Sequence, residues 1–317
     1  MSGISFVRRA VAFVVAAVAV AALGGCSSIE RLKHNAGYDE PWSEGADGTI
    51  LKDVVYKPVS GNRMDISLPK VLDGSRPNGV IVFLHGGSWV RGTRAFESHN
   101  CRRYAKKGYI AATVDYTLYS ESSPVTMSRM LDDIDDAVDR IKALSAQRGW
   151  NVTQMGISGN SAGGQLALLY AYARKPALPL KFAAATVAPA DFHWEAWDFK
   201  GALFSPRVSL QIVNAGTGSS FSEAEFRSGK AEAAIRSISP LFAVHPGAVP
   251  TLLGYGEKDT LQNPENGRRM TEKLAEAGVP HDLVMYPHSG HLLADDRPVM
   301  LEFHEKLTDY ARKGFGY

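Results

Sequence analysis

The chain has 317 residues, 45% of them hydrophobic, and a formal net charge of +2 at pH 7. That length suits one large domain or two small ones, with enough apolar surface for a full core. The balanced charge, in short runs only, excludes a nucleic-acid partner as a first expectation, and no solenoid-like repeat is present.

In chain order the first segment is MSGISFVRRAVAFVVAAVAVAALGGC. Arg8 and Arg9 precede an unbroken apolar stretch from Ala10 to Leu23, followed by small residues. This is the pattern of a signal peptide, and the run is short for a membrane span. Leu23-Gly24-Gly25-Cys26 resembles the bacterial lipobox. Residues 1–25 are therefore expected to be a lipoprotein signal peptide, and Cys26 the lipid-bearing first residue of the mature chain. A plain secreted protein and an uncleaved anchor are the alternatives. Two acyl chains anchor stably where one does not, and Ser27 after the cysteine points to the outer membrane or periplasmic face of a bacterial envelope. Cleavage removes two of the 35 basic residues and so levels them with the 33 acidic ones. A lipidated Cys26 also leaves Cys101 without a disulfide partner. Residues 26–47 are polar and read as a tether, although Tyr38 and Trp42 can still pack on the body.

The body, 48–317, opens with two strand-like segments, 50–58 and 62–70, that read as an antiparallel hairpin at a sheet edge. Apolar, β-branched runs at 80–85, 109–116, 151–158, 182–189, 249–256 and 281–287 read as buried strands. Helical patterns alternate with them. Residues 128–147 carry Met130, Ile134, Ala137, Ile141 and Leu144 on one face, with acids early and bases late. Residues 163–173, 266–278 and 298–314 complete the set, while 238–244 reads as a loop or short helix. Strands alternating with helices imply a mostly parallel sheet covered on both faces, an α/β domain. Residues 192–237 break the alternation. They are aromatic-rich, include one helix-like stretch at 222–237, and read as a cap-like insertion.

The chemistry concentrates in four places. Gly159-Asn160-Ser161-Ala162-Gly163 fits G-x-S-x-G between a buried strand and an apolar helix, the setting of a nucleophile elbow. Ser158 lacks the glycine frame and is assigned a packing role. A serine hydroxyl needs a base, an orienter for that base, and donors for the oxyanion. HGGSW at 85–89 follows a strand and offers backbone donors, with His85 a structural partner of the loop; the N–H of Ala162 offers another. YPHSGHLL offers His291 as the base, with His288 as the fallback. LLGYGEKDTL offers Asp259 as the orienting acid, deeper in the loop than Glu257. No H-E-x-x-H, zinc cysteine pair or dinucleotide fingerprint is present, so no metal or cofactor is expected.

Together VIVFLHGGSW, AATVDYTL, GNSAGG, PTLLGYGEKDTL and HSGH resemble the esterase/lipase group of the α/β-hydrolase superfamily, including hormone-sensitive-lipase-like carboxylesterases and acetyl- and feruloyl-esterase-like members. The resemblance spans about 50–317. It implies an α/β-hydrolase fold, a triad of Ser161, Asp259 and His291, and an oxyanion hole from Gly87, Ser88 and Ala162. Two departures stand out: HGGS replaces the HGGG of lipases, and Asn160 replaces the aspartate or histidine often found before the serine. The expected activity is hydrolysis of small or short-acyl esters through an acyl-enzyme. Amide or formamide hydrolysis, polysaccharide deacetylation and a non-catalytic lipoprotein binding module are the rivals. The substrate pocket is expected beneath the insertion, lined by Trp89, Trp194 and Trp197. The expected partners are a small-molecule ester and, through Cys26, a membrane; the sequence leaves the oligomeric state open.

Overall fold

The structure, a computed structural model, describes residues 41–317. The expected signal peptide, Cys26 and most of the tether lie outside the described residues. Eight strands form one sheet in the order β1-β2-β4-β3-β5-β6-β7-β8. They are β1 (Gly48–Lys57), β2 (Asn62–Pro69), β3 (Asn78–Leu84), β4 (Ile110–Val114), β5 (Val152–Asn160), β6 (Leu180–Thr186), β7 (Thr251–Gly256) and β8 (His281–Tyr286). The β1–β2 hairpin pairs antiparallel and joins β4 antiparallel at one edge. From β4 to β8 every neighbour is parallel.

The strands are apolar on both sides because both sides are covered. Val80, Val82 and Leu84 of β3 enter one core and Ile81 and Phe83 the other, the two-residue alternation of a strand. The first core is closed by α2 (Met127–Arg148) and α3 (Ser161–Ala173). The second is closed by α1 (Ser98–Lys106) and α9 (Arg297–Phe315) through Tyr104, Met300, Phe303, Leu307 and Phe315. Helix α2 begins where the Thr126 side chain accepts the Arg129 N–H and ends at Gly149 in the left-handed region.

The insertion is built from a 3-10 turn at Trp194–Trp197, then α4 (Arg207–Thr217), α5 (Glu223–Arg227) and α6 (Glu232–Ile238). A four-residue helix, α7 (Pro240–Ala243), leads toward β7, and α8 (Glu265–Glu276) lies between β7 and β8. The single helix expected at 222–237 is two. Gly229, with φ of 85°, breaks it, and a capping box of Ser222 and Glu225 starts the first piece. The insertion packs onto the body of the domain. Phe192, Trp197, Val213, Phe226, Ala231 and Ile235 are buried in the same core as α2 and α3.

Candidate active site

β5 ends at Asn160 and α3 begins at Ser161, so no residue separates strand from helix. Ser161 has φ of 50°, a left-handed conformation that L-residues rarely hold without reason. The flanking glycines are forced by close approach. A Cβ on Gly163 would lie 2.2 Å from the Leu84 carbonyl oxygen, and one on Gly159 would lie 2.4 Å from that of Gly163. The turn therefore packs backbone on backbone against the end of β3.

Three predicted side chains meet over the carboxyl ends of β5, β7 and β8. His291 Nε2 lies 2.9 Å from Ser161 Oγ, and His291 Nδ1 lies 2.8 Å from Asp259 Oδ2. The Asp259 side chain is fully buried, and its other oxygen accepts the Leu261 and Gln262 N–H groups at 2.8 and 2.9 Å. A carboxylate only accepts, so His291 carries its proton on Nδ1 and offers Nε2 to the Ser161 hydroxyl. The loop that carries His291 is pinned by Asp296, which accepts from Ser289 Oγ at 2.7 Å and from the His288 backbone and ring at 2.9 and 2.7 Å. Burial opposes ionisation of Asp296, but these bonds outweigh it and hold its carboxyl below the usual range.

The alternatives to these three residues make other contacts. His288 has a side chain 70% exposed and faces Asp296, not Ser161. Glu257 is exposed and pairs with Arg268 at 2.6 Å. Ser158 is buried beneath the turn.

Gly87 and Ser88 lie half-buried in the loop after β3, and Ala162 is buried at the start of α3. The first N–H groups of a helix have no partner within it, so Ala162 N–H is available to an anion. Gly87, Ser88 and Trp89 all have positive φ, at 122°, 54° and 61°. His85 holds this loop. Its ring stacks on Tyr116 at 4.4 Å, its Nδ1 lies 2.8 Å from the Gly86 oxygen, and the Tyr116 hydroxyl donates to the His85 carbonyl at 2.8 Å. Burial lowers the His85 pKa, which keeps the imidazole neutral.

Ser161 and His291 open onto a cavity of about 170 Å³. Its walls come from α1, α9, the carboxyl end of β5 and the segments after β6 and β8, among them Val187, Leu293, Met300, Phe303 and Leu307. The expectation placed the pocket beneath the insertion; this cavity lies on the face of the sheet covered by α1 and α9. Trp89 is buried with its indole N–H on Gln165, Trp197 is buried with its N–H on the Asp191 carbonyl, and Trp194 lies beside Phe226. These rings help to seat the insertion, and none of the three lines this cavity. His99 and His304 do line it. Burial first, and the Arg103 charge next, lower both, His99 to about 3, so each is neutral. A separate cavity of about 410 Å³ is lined by His193, Phe242 and Arg269 and includes neither Ser161 nor His291.

The sequence reading missed Glu97, in a 3-10 turn at Arg94–Glu97 just before α1. It is 2% exposed and lines the same cavity. Burial pushes its carboxyl up to about 7, against the lowering effect of a hydrogen bond from Asn100. Nothing local distinguishes it from a surface glutamate. Among the described residues no group of three or more His, Cys, Asp or Glu side chains could hold a metal ion.

A protein-family model described as alpha/beta hydrolase fold matches residues 81–295. A probable isoprenylcysteine alpha-carbonyl methylesterase of Oryza sativa subsp. japonica is 30% identical over 118 residues, 37% of this chain and 27% of that protein. Esterase LipQ of Mycobacterium tuberculosis is 26% identical over 234 residues, 72% of this chain and 53% of LipQ. The chain thus spans about a quarter of the methylesterase and about half of LipQ. Among solved structures, esterase B from Lactobacillus rhamnosis superposes with a TM-score of 0.71 at 16% identity, covering 98% of this chain and 97% of that one. At that identity the likeness is one of fold.

Proposed function

We propose that this chain, which belongs to the alpha/beta hydrolase fold family, is a serine carboxylesterase that cleaves short-acyl esters. The observation that carries the reading is the relay Asp259–His291–Ser161, closed at 2.8 and 2.9 Å with the acid fully buried. The curated relatives' names, methylesterase and esterase, support the same chemistry.

In the proposed mechanism His291 Nε2 takes the Ser161 proton as Oγ attacks the ester carbonyl. The imidazolium that forms is stabilised by Asp259, which stays ionised. The oxyanion is received by backbone N–H groups from Ala162 and from the Gly87–Ser88 loop; one such donor is typically worth about 10²–10³ in rate. Collapse expels the alcohol, which leaves with the proton from His291, and an acyl-Ser161 remains. Water, deprotonated by His291, then releases the acid. The cavity of about 170 Å³ has largely apolar walls and is smaller than the roughly 300–1,000 Å³ of drug-sized sites. It suits a short acyl chain.

The test is a hydrolysis panel of p-nitrophenyl esters of rising length, with acetylated xylan and N-formyl substrates alongside and Ser161→Ala as the control. Turnover of acetate to butyrate esters, lost in S161A together with fluorophosphonate labelling, is expected. Equal inactivity across the panel, or labelling that persists in S161A, overturns the reading. We further propose that Cys26 carries the lipid anchor at the cell envelope. A Cys26→Ser chain that still incorporates labelled palmitate into its mature form contradicts that.

A further inference from the structure

We propose that Glu97 is a positioning residue for the nucleophile: its carboxylate clamps the Asn160 side chain between the serine turn and the loop after β3, and so sets where Ser161 Oγ sits against that loop's N–H donors. The proposal rests on the reading of Ser161 as the nucleophile.

Glu97 Oε1 accepts from Asn160 Nδ2 and Oε2 from Asn100 Nδ2, both at 2.7 Å. Above about pH 7, where Glu97 is ionised, its carboxylate only accepts, so both amides turn their NH₂ groups toward it. The Asn160 Oδ1 is thereby directed at Gly86. A Cβ on Gly86 would lie 2.3 Å from that oxygen and 3.3 Å from Ser161 Cβ. One amide, adjacent in sequence to Ser161, thus packs against the start of the loop that holds Gly87 and Ser88.

The carboxylate is itself held from below. Arg94, on the same turn, pairs with Asp65 at 2.9 Å and with Asp53 and Asp115. Its backbone N–H donates to Asp115 at 2.6 Å, and its carbonyl accepts from Thr113 Oγ1 at 2.8 Å. The turn is therefore riveted to β2, to β4 and to the segment just after β4. A buried carboxylate is a costly way to fill space; an apolar side chain of like size would do so without desolvation. What a carboxylate supplies, and an apolar group does not, is two fixed acceptors for two amides.

The experiment is a double-mutant cycle read through kcat and KM on p-nitrophenyl acetate, with wild type and S161A alongside and circular dichroism on every variant. Asn160→Asp sets carboxylate against carboxylate. Glu97→Leu leaves Asn160 without its acceptor. Each is expected to lower kcat by about 10–100-fold, the scale of an ångström-level misplacement, with KM within about threefold. Glu97→Gln keeps an acceptor for Asn160, and Asn100, whose Oδ1 makes no hydrogen bond, can turn over to meet the new NH₂; kcat stays within about threefold. Combining E97Q with N160D restores a donor–acceptor pair with reversed polarity, and kcat recovers at least about fivefold over N160D. The rate of fluorophosphonate labelling follows the same order and serves where a variant turns over too slowly. The proposal is overturned if N160D and E97L both keep kcat within about threefold, or if the double variant is no faster than N160D. Those outcomes with S161A inactive sink the clamp alone, whereas an active S161A sinks the nucleophile as well.

Discussion

Replacing Asp259 by asparagine removes a charge without moving an atom, and its consequence follows from three hydrogen bonds. Asp259 Oδ1 accepts the Leu261 and Gln262 N–H groups, and Oδ2 accepts from His291 Nδ1. Asparagine has one oxygen. The two main-chain donors cannot change protonation, so they keep it, and the side-chain NH₂ turns toward His291. Nδ1 must then accept, the ring proton moves to Nε2, and the group facing Ser161 becomes a donor where a base is needed. In the serine-protease template this inversion costs about 10⁴ in kcat, or about 5.5 kcal/mol at about 1.36 kcal/mol per tenfold. Folding stability changes by only about 1 kcal/mol, since two of the three bonds survive. The assay is kcat for p-nitrophenyl acetate from pH 6 to 9, with a thermal melt of the same preparation. A D259N protein that melts like the wild type yet keeps more than about a tenth of its kcat would refute the relay.

Met300→Ala enlarges the cavity beside Ser161 and His291 and shifts the best p-nitrophenyl ester toward longer chains, at about 2–5 kcal/mol of stability; an unchanged chain-length profile on a folded variant removes Met300 from the acyl site. Glu97 titrates at about 7 in the fold and near 4.5 unfolded, so the folded state holds its proton longer. Stability therefore falls as pH rises from about 4.5 through 7, by on the order of 3 kcal/mol. Urea unfolding of E97Q should show that fall abolished, and parallel curves for the two proteins at pH 5 and 8 would contradict it. His193 is raised to about 9 by its hydrogen bond to Asp191 at 2.6 Å, with Glu232 assisting at 2.8 Å. Its contribution is full below about pH 6.5 and is lost as pH climbs through 9, so His193→Gln should lower the melting temperature at pH 6.5 and not at pH 10.

The relay was legible because each member sits in a short, strongly constrained motif. Gly159 and Gly163 are demanded by backbone contact, and Asp259 and His291 each follow a buried strand whose apolar run is unmistakable. The cavity was not legible. Its walls join α1 to α9, nearly 200 residues apart, and α1 carries only Cys101, Tyr104 and Ala105 as buried apolar residues among charged ones. The tryptophans misled for a related reason: an indole reads the same in a core as in a pocket, and only Gln165 and the Asp191 carbonyl decide which. Glu97 was invisible because its partner Asn160 lies 63 residues away in the chain and only the fold brings the two together.

The hydroxyl and the imidazole are separated by most of the second half of the chain, and the residue that orients the ring follows the penultimate strand. If Ser161 is the nucleophile proposed above, the hydroxyl emerges first during synthesis and stays inert until β7, β8 and the turn beyond them have docked. On that reading reactivity is the last property the polypeptide acquires, and any fragment that stops short of the final strand carries the serine harmlessly.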